Sequence, residues 1–184
     1  ESFYVDSNGK RNGYPGSYRA CQKKLAREQR KLAHMEKGSK NREKQRIRIA
    51  RLHEKISNQR KDFLHKESRQ ITNVWDCVCI EDLALKEMAG KEHHGKSVSD
   101  TGWGMFTTFL SYKLQEAGKR QIRVDRYYPI YQLCSACGRQ NKEIKDVSVR
   151  TWICPGCRAN HDRDWNAAKN IRKEGIRLMK KELA

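Results

Sequence analysis

Four of the seven cysteines are arranged in two pairs whose spacing is typical of a metal site. Cys134-Ser-Ala-Cys137 and Cys154-Pro-Gly-Cys157 are separated by 16 residues, as in ribbons that hold Zn²⁺ with four thiolates. Four thiolates complete a tetrahedral coordination sphere and leave no position for water, so the predicted Zn²⁺ is structural. Two disulfides or four unrelated thiols are the alternative, but the odd number of cysteines favours metal binding.

Three carboxylates at the ends of predicted elements form a second candidate site. Glu81 directly follows the apolar stretch VWDCVCI, and open α/β sheets place their active sites at the carboxyl ends of strands. Asp162 suits the N-cap of the last predicted helix, whereas Asp164 shares an apolar stripe with Ala167. A buried acid needs a cation, and with Glu81 it could hold Mg²⁺, which prefers oxygen ligands. The alternative is that the aspartates only cap the helix.

The hydrophobic pattern predicts an α/β fold that positions both sites. Residues 74–81 are apolar at nearly every position, as in a central strand, and residues 101–117 have a helical pattern. Residues 17–70 are helical with a break at Gly38, which predicts an antiparallel helical hairpin. The remaining elements are predicted as a β-hairpin at 1–16, a strand at 121–128, the cysteine-bearing segment at 129–160 and a final helix at 161–184.

Positive charge is concentrated in the predicted helical hairpin. The formal net charge is +18, and residues 17–70 hold 18 Lys and Arg against six Asp and Glu. This excess favours a nucleic-acid partner through phosphate contacts, although a solvated charged face is the ordinary alternative. The candidate contacts are Lys23, Lys24, Arg27, Arg30, Lys44, Arg48 and Arg51.

The sequence contains no apolar run long enough to cross a membrane and no signal-peptide pattern. A soluble intracellular protein is therefore predicted. The six histidines, among them His93 and His94, form no recognisable set of metal ligands and are interpreted as solvated or loop residues.

Several segments in this order resemble a known family. A basic helical hairpin, IEDL after a buried strand, C-x2-C…C-x2-C and DRDWNAAKNI follow one another as in the carboxyl-terminal half of TnpB (OrfB) proteins. These are transposon-encoded, RNA-guided, RuvC-like nucleases related to type V CRISPR effectors. The resemblance implies a RuvC-like (RNase H-type) sheet with an inserted zinc ribbon, in which 1–128 and 161–184 form the nuclease domain.

The resemblance also implies roles for individual residues. Glu81 matches the second catalytic acid of the family and Asp164 matches the third, both as Mg²⁺ ligands. Asp162 and Asn166 would support them, and the four cysteines would hold Zn²⁺. The first acid belongs to a strand that we expect to precede this chain, and Asp6 is a poor substitute for it.

One further departure concerns YPIYQLC, which replaces the small hydroxyl residues that the family usually carries before the first cysteine. The resemblance implies part of a Mg²⁺-dependent DNA endonuclease of a transposable element, with a guide RNA and a target DNA as partners. It would be cytoplasmic and nucleoid-associated in a prokaryote, or nuclear in a eukaryote. The alternatives are a nuclease-inactive, RNA-guided DNA-binding protein or repressor of the same family, and a free-standing zinc-ribbon nucleic-acid binder.

Overall fold

The computed structural model describes residues 2–83, 102–144, 146 and 148–182, so His93 and His94 lie outside the described residues. Within these ranges the chain forms six strands and four helices. In chain order they are β1 (Tyr4–Val5), β2 (Arg11–Asn12), α1 (Gly16–Ala33), α2 (Lys40–Val74), β3 (Cys77–Glu81), α3 (Trp103–Glu116), β4 (Arg120–Val124), β5 (Thr151–Ile153), β6 (Asn160–Asp162) and α4 (Arg163–Glu182).

Helices α1 and α2 pack against each other as a hairpin. Gly38 adopts a left-handed φ of +87° at the turn, a conformation that costs glycine little. The Oγ of Ser39 then accepts a hydrogen bond of 3.2 Å from the backbone N–H of Arg42 and caps α2. The apolar seam from Ile49 to Ile56 is buried. This seam, repeating at three and four residues, is what orients α2 toward α1.

One acidic side chain is buried between these basic helices. Only 3% of the Glu28 side chain is exposed, and its Oε2 accepts a hydrogen bond of 2.8 Å from Nε2 of Gln45. Arg27, Lys31 and Arg48 place cationic nitrogens 3.4 to 3.8 Å from the carboxylate. The bond from Gln45, and then Lys31, lowers the pKa of Glu28. Part of the positive charge of the hairpin therefore holds its own helices together.

The parallel pair β3–β4 forms the centre of the fold. Its register runs from Cys77 opposite Arg120 to Glu81 opposite Val124. Because α2 continues to Val74, β3 starts three residues after the predicted start of the strand. Helix α3 packs on the sheet and on α2, and the largest buried cluster consists of Phe63, Leu64, Ile80, Phe106, Leu110 and Leu114.

The β1–β2 hairpin is short but is held against α4. Gly9 has φ +88°, and a Cβ added there would lie 3.2 Å from the ring of Trp165. The indole Nε1 of Trp165 donates a hydrogen bond of 3.1 Å to the carbonyl of Ser7. The turn thus closes onto α4 and carries β2 toward the start of that helix.

Between β4 and α4 the chain forms a small separate unit with the antiparallel strands β5 and β6. Trp152, opposite His161 in these strands, packs with Ile144, Cys134 and Cys154 in a core of its own. Helix α4 then packs on β3 and β4. The mixed α/β fold predicted from the sequence, with an inserted cysteine-bearing unit, is confirmed.

Candidate active site and metal centre

The four paired cysteines come together at one point. The Sγ atoms of Cys134, Cys137, Cys154 and Cys157 all lie within 4.8 Å of one another. The Cys134–Cys157 sulfurs are 3.6 Å apart and the Cys137–Cys154 sulfurs 3.7 Å. Tetrahedral zinc with Zn–S bonds of about 2.3 Å separates its sulfurs by about 3.8 Å. The cluster could therefore hold a metal ion of this kind.

Two backbone knuckles with the same geometry present these sulfurs. The residue after the second cysteine has a left-handed φ in each knuckle, +80° at Gly138 and +57° at Arg158. Its N–H donates to the carbonyl of the first cysteine, at 2.8 and 2.9 Å respectively. Backbone hydrogen bonds from Cys157 and Gly156 lower the pKa of the Cys154 thiol to about 6. This favours the thiolate, which is the form that binds metal.

A histidine lies against the cysteine cluster. The Nε2 of His161 is 3.0 Å from the Sγ of Cys134, and its ring lies 4.6 Å from that of Trp152. His161 is 7% exposed, so the expectation of a solvated histidine is wrong at this position. The β5–β6 pairing, which the sequence pattern did not reveal, brings it inside.

Glu81, the last residue of β3, faces a tyrosine from the segment before the first cysteine. Tyr131 packs against the apolar cluster of Val124, the residue opposite Glu81 in β4, and its phenol interacts electrostatically with the Glu81 carboxylate. Burial, followed by the charge of Asp164, raises the pKa of Glu81 to about 6, and the nearby phenol of Tyr131 opposes this rise. Burial also raises the pKa of Tyr131. The phenol is therefore protonated at neutral pH.

Asp164 lies in the first turn of α4, near Glu81. Its side chain is 39% exposed, so the burial predicted from its place on an apolar stripe is wrong; the apolar contacts of α4 begin at Ala167. A guanidinium from β2 faces it, with Nη1 of Arg11 at 3.6 Å from Oδ2 of Asp164. The Nη2 of Arg11 lies 2.6 Å from Oδ1 of Asp162. Two aspartates thus share one arginine.

Asp162 has the capping geometry that the sequence favoured. Its Oδ1 accepts a hydrogen bond of 2.9 Å from the backbone N–H of Trp165, in the first turn of α4. Asp162 therefore serves the end of the helix, whereas Asp164 is the aspartate whose charge acts on Glu81.

The two asparagines of the NAAKN stretch attach the first knuckle to α4. Asn166, 2% exposed, accepts a hydrogen bond of 2.9 Å from the N–H of Ser135 and donates one of 2.7 Å to the carbonyl of Leu133. The Nδ2 of Asn170 donates to the carbonyls of Ile130 and Leu133, at 2.8 and 2.7 Å. Asn166 therefore holds the loop around Leu133 and Ser135 on α4. Its side-chain oxygen already accepts a hydrogen bond from Ser135.

Arg163 connects the cysteine-bearing unit to the tyrosine beside Glu81. Its guanidinium lies 4.8 Å from the centre of the Tyr131 ring, and only 6% of the residue is exposed. It donates hydrogen bonds to the backbone carbonyls of Asp146 and Val149. Sequence reasoning missed Arg163, Tyr131 and Arg11; the unusual YPIYQLC stretch was the one signal that could have indicated Tyr131.

The α1–α2 hairpin presents a basic groove. All seven predicted nucleic-acid contacts on these helices are exposed. A groove of about 630 Å³ is lined by four of them, Lys24, Lys44, Arg48 and Arg51, and also by Lys55. The other three, Lys23, Arg27 and Arg30, do not line it.

Family comparisons agree with this arrangement. Residues 1–92 match the family model OrfB_IS605, described as "Probable transposase". Because this match covers half of the chain, it decides the family. The chain belongs to the OrfB (TnpB) family. Residues 103–171, which include the cysteine cluster and Asp164, match the model of the Cas12f1-like TNB domain.

Individual TnpB relatives match most of this chain. A "Putative RNA-guided DNA endonuclease" of Streptomyces pristinaespiralis is 36% identical over 95% of the chain and 43% of its own length. The Escherichia coli K12 protein named "Putative RNA-guided DNA endonuclease InsQ" is 33% identical over 86% and 43%. The chain thus spans less than half the length of these curated relatives.

The TnpB chain also has the fold of a solved structure. A cryo-EM structure of a Cas12f1–sgRNA–target DNA complex contains a chain that superposes with a TM-score of 0.62. The superposition covers 88% of this chain and 43% of the other, at 20% sequence identity. The similarity therefore covers most of the chain. None of the described helices is both long and apolar enough to cross a membrane.

Proposed function

We propose that this chain forms the RuvC-like catalytic part of an RNA-guided, Mg²⁺-dependent DNA endonuclease of a transposable element, with Zn²⁺ in the cysteine cluster. The observation that carries the proposal is that Glu81 ends β3 and that the charge of Asp164, in the first turn of α4, acts on it. The names of the TnpB relatives from Streptomyces and Escherichia coli support the same activity.

The two carboxylates fit a hard divalent cation. Burial disfavours the charge of Glu81, and the charge of Asp164 adds to that penalty. A cation between them would relieve both effects, and carboxylate oxygens are the ligands that Mg²⁺ prefers. Bound there, Mg²⁺ would activate water and stabilise the charge that develops on the phosphate during hydrolysis. Glu81 and Asp164 would hold it.

The cysteine cluster fits Zn²⁺ in a structural role. Four thiolates close the coordination sphere, so the chemistry of this site is folding rather than hydrolysis. Its attachment to α4 through Asn166 and Asn170 supports a second effect. A folded zinc ribbon would fix the start of α4, and with it Asp164.

The basic groove between α1 and α2 is proposed as a contact for nucleic-acid phosphates. Lys24, Lys44, Arg48 and Arg51 line it without an acidic residue among its lining side chains. The solved complex with a similar fold holds an sgRNA and a target DNA. We extend both kinds of partner, a guide RNA and a target DNA, to the protein that contains this chain.

Cleavage of target DNA by the whole protein, purified with its RNA, tests the proposal. Magnesium-dependent cleavage is expected, and Asp164→Asn should reduce its rate by at least about 10³-fold, because removing one metal ligand disrupts charge stabilisation at the reacting phosphate. Asp125→Asn is the matched control. Asp125 is an exposed aspartate that caps a turn by accepting from the N–H of Tyr127 at 2.7 Å.

The outcomes separate the candidate functions. Loss of cleavage in Asp164→Asn, with guided binding retained and Asp125→Asn active, supports the nuclease. Guided binding of DNA with no cleavage at any Mg²⁺ concentration would instead identify a nuclease-inactive RNA-guided binder. Cleavage that is equal in both variants would contradict the role of Asp164.

A further inference from the structure

Arg11 of β2 contacts the two aspartates at the start of α4 unequally. Its Nη2 lies 2.6 Å from Oδ1 of Asp162 and donates a hydrogen bond to it. Its Nη1 lies 3.6 Å from Oδ2 of Asp164, which is an ion pair rather than a hydrogen bond. Asp162 is therefore the anchor of the guanidinium, and Asp164 can bind a cation without releasing Arg11 from Asp162.

The β1–β2 hairpin holds the backbone of Arg11 in position. On one side, the indole of Trp165 in α4 donates to the carbonyl of Ser7 at 3.1 Å. On the other side, Nδ2 of Asn12, the residue after Arg11, donates to Oε2 of Glu67 in α2 at 2.6 Å. The hairpin is thus tied to both helices, and these ties do not depend on the charge of Asp164. Arg11 therefore remains beside Asp164 when a cation neutralises that carboxylate.

A guanidinium at this place fits an incoming phosphate. The Arg11 side chain is 42% exposed, and a guanidinium has five N–H donors in a planar fork that matches phosphate oxygens. When ionised, Glu81, Asp162 and Asp164 carry three negative charges, and one divalent cation leaves them one charge short of neutrality. Arg11 supplies that charge, so the site does not repel an anionic phosphate.

We propose that Arg11 is a catalytic residue of the nuclease site, which donates to a non-bridging oxygen of the DNA phosphate beside Asp164 and competes electrostatically with the cation for that carboxylate. The inference rests on the proposed function, because it assumes that Asp164 binds the cation. Loss of the guanidinium should then have two effects of opposite sign. Metal binding should become tighter, because a repelling charge is removed, and cleavage should become slower, because a donor to the phosphate is removed.

Mn²⁺ binding followed by electron paramagnetic resonance measures the first effect, on the zinc-loaded whole protein without RNA, since RNA itself binds Mn²⁺. At low ionic strength the Kd for Mn²⁺ should fall by about fivefold in Arg11→Gln, as expected for one charge several ångströms from the ion in water. Arg11→Lys keeps the charge, so its Kd should stay within about twofold of the parent. Asp164→Asn reports whether the bound Mn²⁺ is at this carboxylate.

Cleavage of guided target DNA by the whole protein at saturating Mg²⁺ measures the second effect. The rate in Arg11→Gln should fall by about 10²-fold, as when one donor to a developing charge is removed, with guided binding retained. Arg11→Lys should lose less, because the ammonium keeps the charge but lacks the planar fork. Lys10→Gln is the matched control, since Lys10 is the exposed neighbour of Arg11 on the same hairpin. Its loss should change the Kd and the rate by less than about twofold.

A purely structural role of Arg11 gives a different pattern. If Arg11 only tied the hairpin to α4, Arg11→Gln would lower the unfolding midpoint and weaken Mn²⁺ binding and cleavage together, which would overturn the assignment. An unchanged Kd or an unchanged cleavage rate in Arg11→Gln would overturn it as well. With Mn²⁺ binding lost in Asp164→Asn, each of these results rejects the role of Arg11 alone. If Asp164→Asn binds Mn²⁺ as the parent does, the metal site of the proposed function is rejected, and the role of Arg11 with it.

Discussion

The surroundings of Glu81 disfavour the negative charge of its carboxylate. Burial and the charge of Asp164 both disfavour the ionised form of Glu81, and the phenol of Tyr131 opposes them only in part. Such an arrangement is costly for the fold and useful for binding a cation, because the cation removes the penalty.

Glu81→Gln should therefore stabilise the protein in magnesium-free buffer at pH 8, by about 2 kcal/mol. The folded pKa of about 6 lies above the ordinary value of 4.5, and one pKa unit corresponds to about 1.4 kcal/mol. Because the raised pKa penalises the ionised form, the penalty is absent below about pH 4.5 and complete above about pH 6. Urea unfolding of Glu81→Gln and of the parent, at pH 4 and at pH 8, measures this difference in the free energy of unfolding. A gain of equal size at pH 4 and pH 8 would contradict the electrostatic origin.

The two aspartates at the start of α4 differ in role although they are two residues apart. Asp162 caps the helix through the N–H of Trp165, and Asp164 adds its charge to the site of Glu81. Arg11 lies within 4 Å of both carboxylates. The guanidinium of Arg11 therefore offsets the negative charge of both aspartates at the start of α4.

At the scale of elements, α4 joins the two candidate sites. Its first turn carries Asp164, its next turns hold the loop before the first cysteine through Asn166 and Asn170, and its apolar face packs on the β3–β4 sheet. A residue at Gly175 with a Cβ would collide with Cys79 of β3, so glycine permits this close approach. One helix therefore sets the distance between sheet and ribbon.

Asn170→Ala should weaken the attachment of the loop before Cys134 to α4. The substitution removes the donor to the carbonyls of Ile130 and Leu133. The Leu133 carbonyl keeps its hydrogen bond from Asn166, but a buried acceptor left without a partner, as at Ile130, costs about 1–3 kcal/mol. We expect a lower urea midpoint and faster amide exchange over residues 130–135. The exposed Asn160 of β6 provides the control Asn160→Ala, which should change neither. Unaltered exchange in Asn170→Ala would show that the loop is held by other contacts.

At the scale of the whole molecule, the cysteine-bearing unit is inserted between β4 and α4 but has a hydrophobic core of its own. That core contains four buried residues, two of which are cysteines. So small a core cannot stand alone, and metal binding would contribute on the order of 10 kcal/mol to it.

Chelation of the metal from the purified protein should therefore unfold residues 134–157 and leave the α1–α2 hairpin folded. Hydrogen exchange followed by mass spectrometry distinguishes the two regions, and readdition of Zn²⁺ should restore protection. Residues around Tyr131 should also lose protection, because Arg163 would lose its carbonyl partners. An exchange pattern and melting curve that chelation leaves unchanged would count against a metal-dependent ribbon.

The charge of the hairpin makes a separate prediction at this scale. Lys44→Ala and Arg51→Ala should each make the negative slope of log K against log salt shallower by about 0.9 for a DNA duplex, since each removes one phosphate contact. Fluorescence anisotropy between about 50 and 200 mM salt measures the slope. Lys66→Ala is the control on the same helix, because Lys66 is paired with Asp62 at 2.8 Å. Equal slopes in all three variants would exclude the groove as the contact surface.

The sequence by itself determined the features that depend on spacing along the chain. The two C-x2-C pairs predicted the cysteine cluster, Ser39 and Asp162 had the residue types of N-caps, and the apolar repeat of α2 predicted the helical hairpin. Each of these depends on residues a few positions apart, or on a ligand number fixed by the metal, so local geometry is enough.

Only the tertiary structure decided what surrounds the acids. Arg11 and Asp162 are 151 positions apart, and no periodicity links Tyr131 to Glu81 or Arg163 to the ring of Tyr131. These contacts arise because β3, β4 and α4 pack together, and the packing brings side chains from distant segments to one point. For the same reason Asp164 proved more exposed, and His161 more buried, than their local patterns predicted.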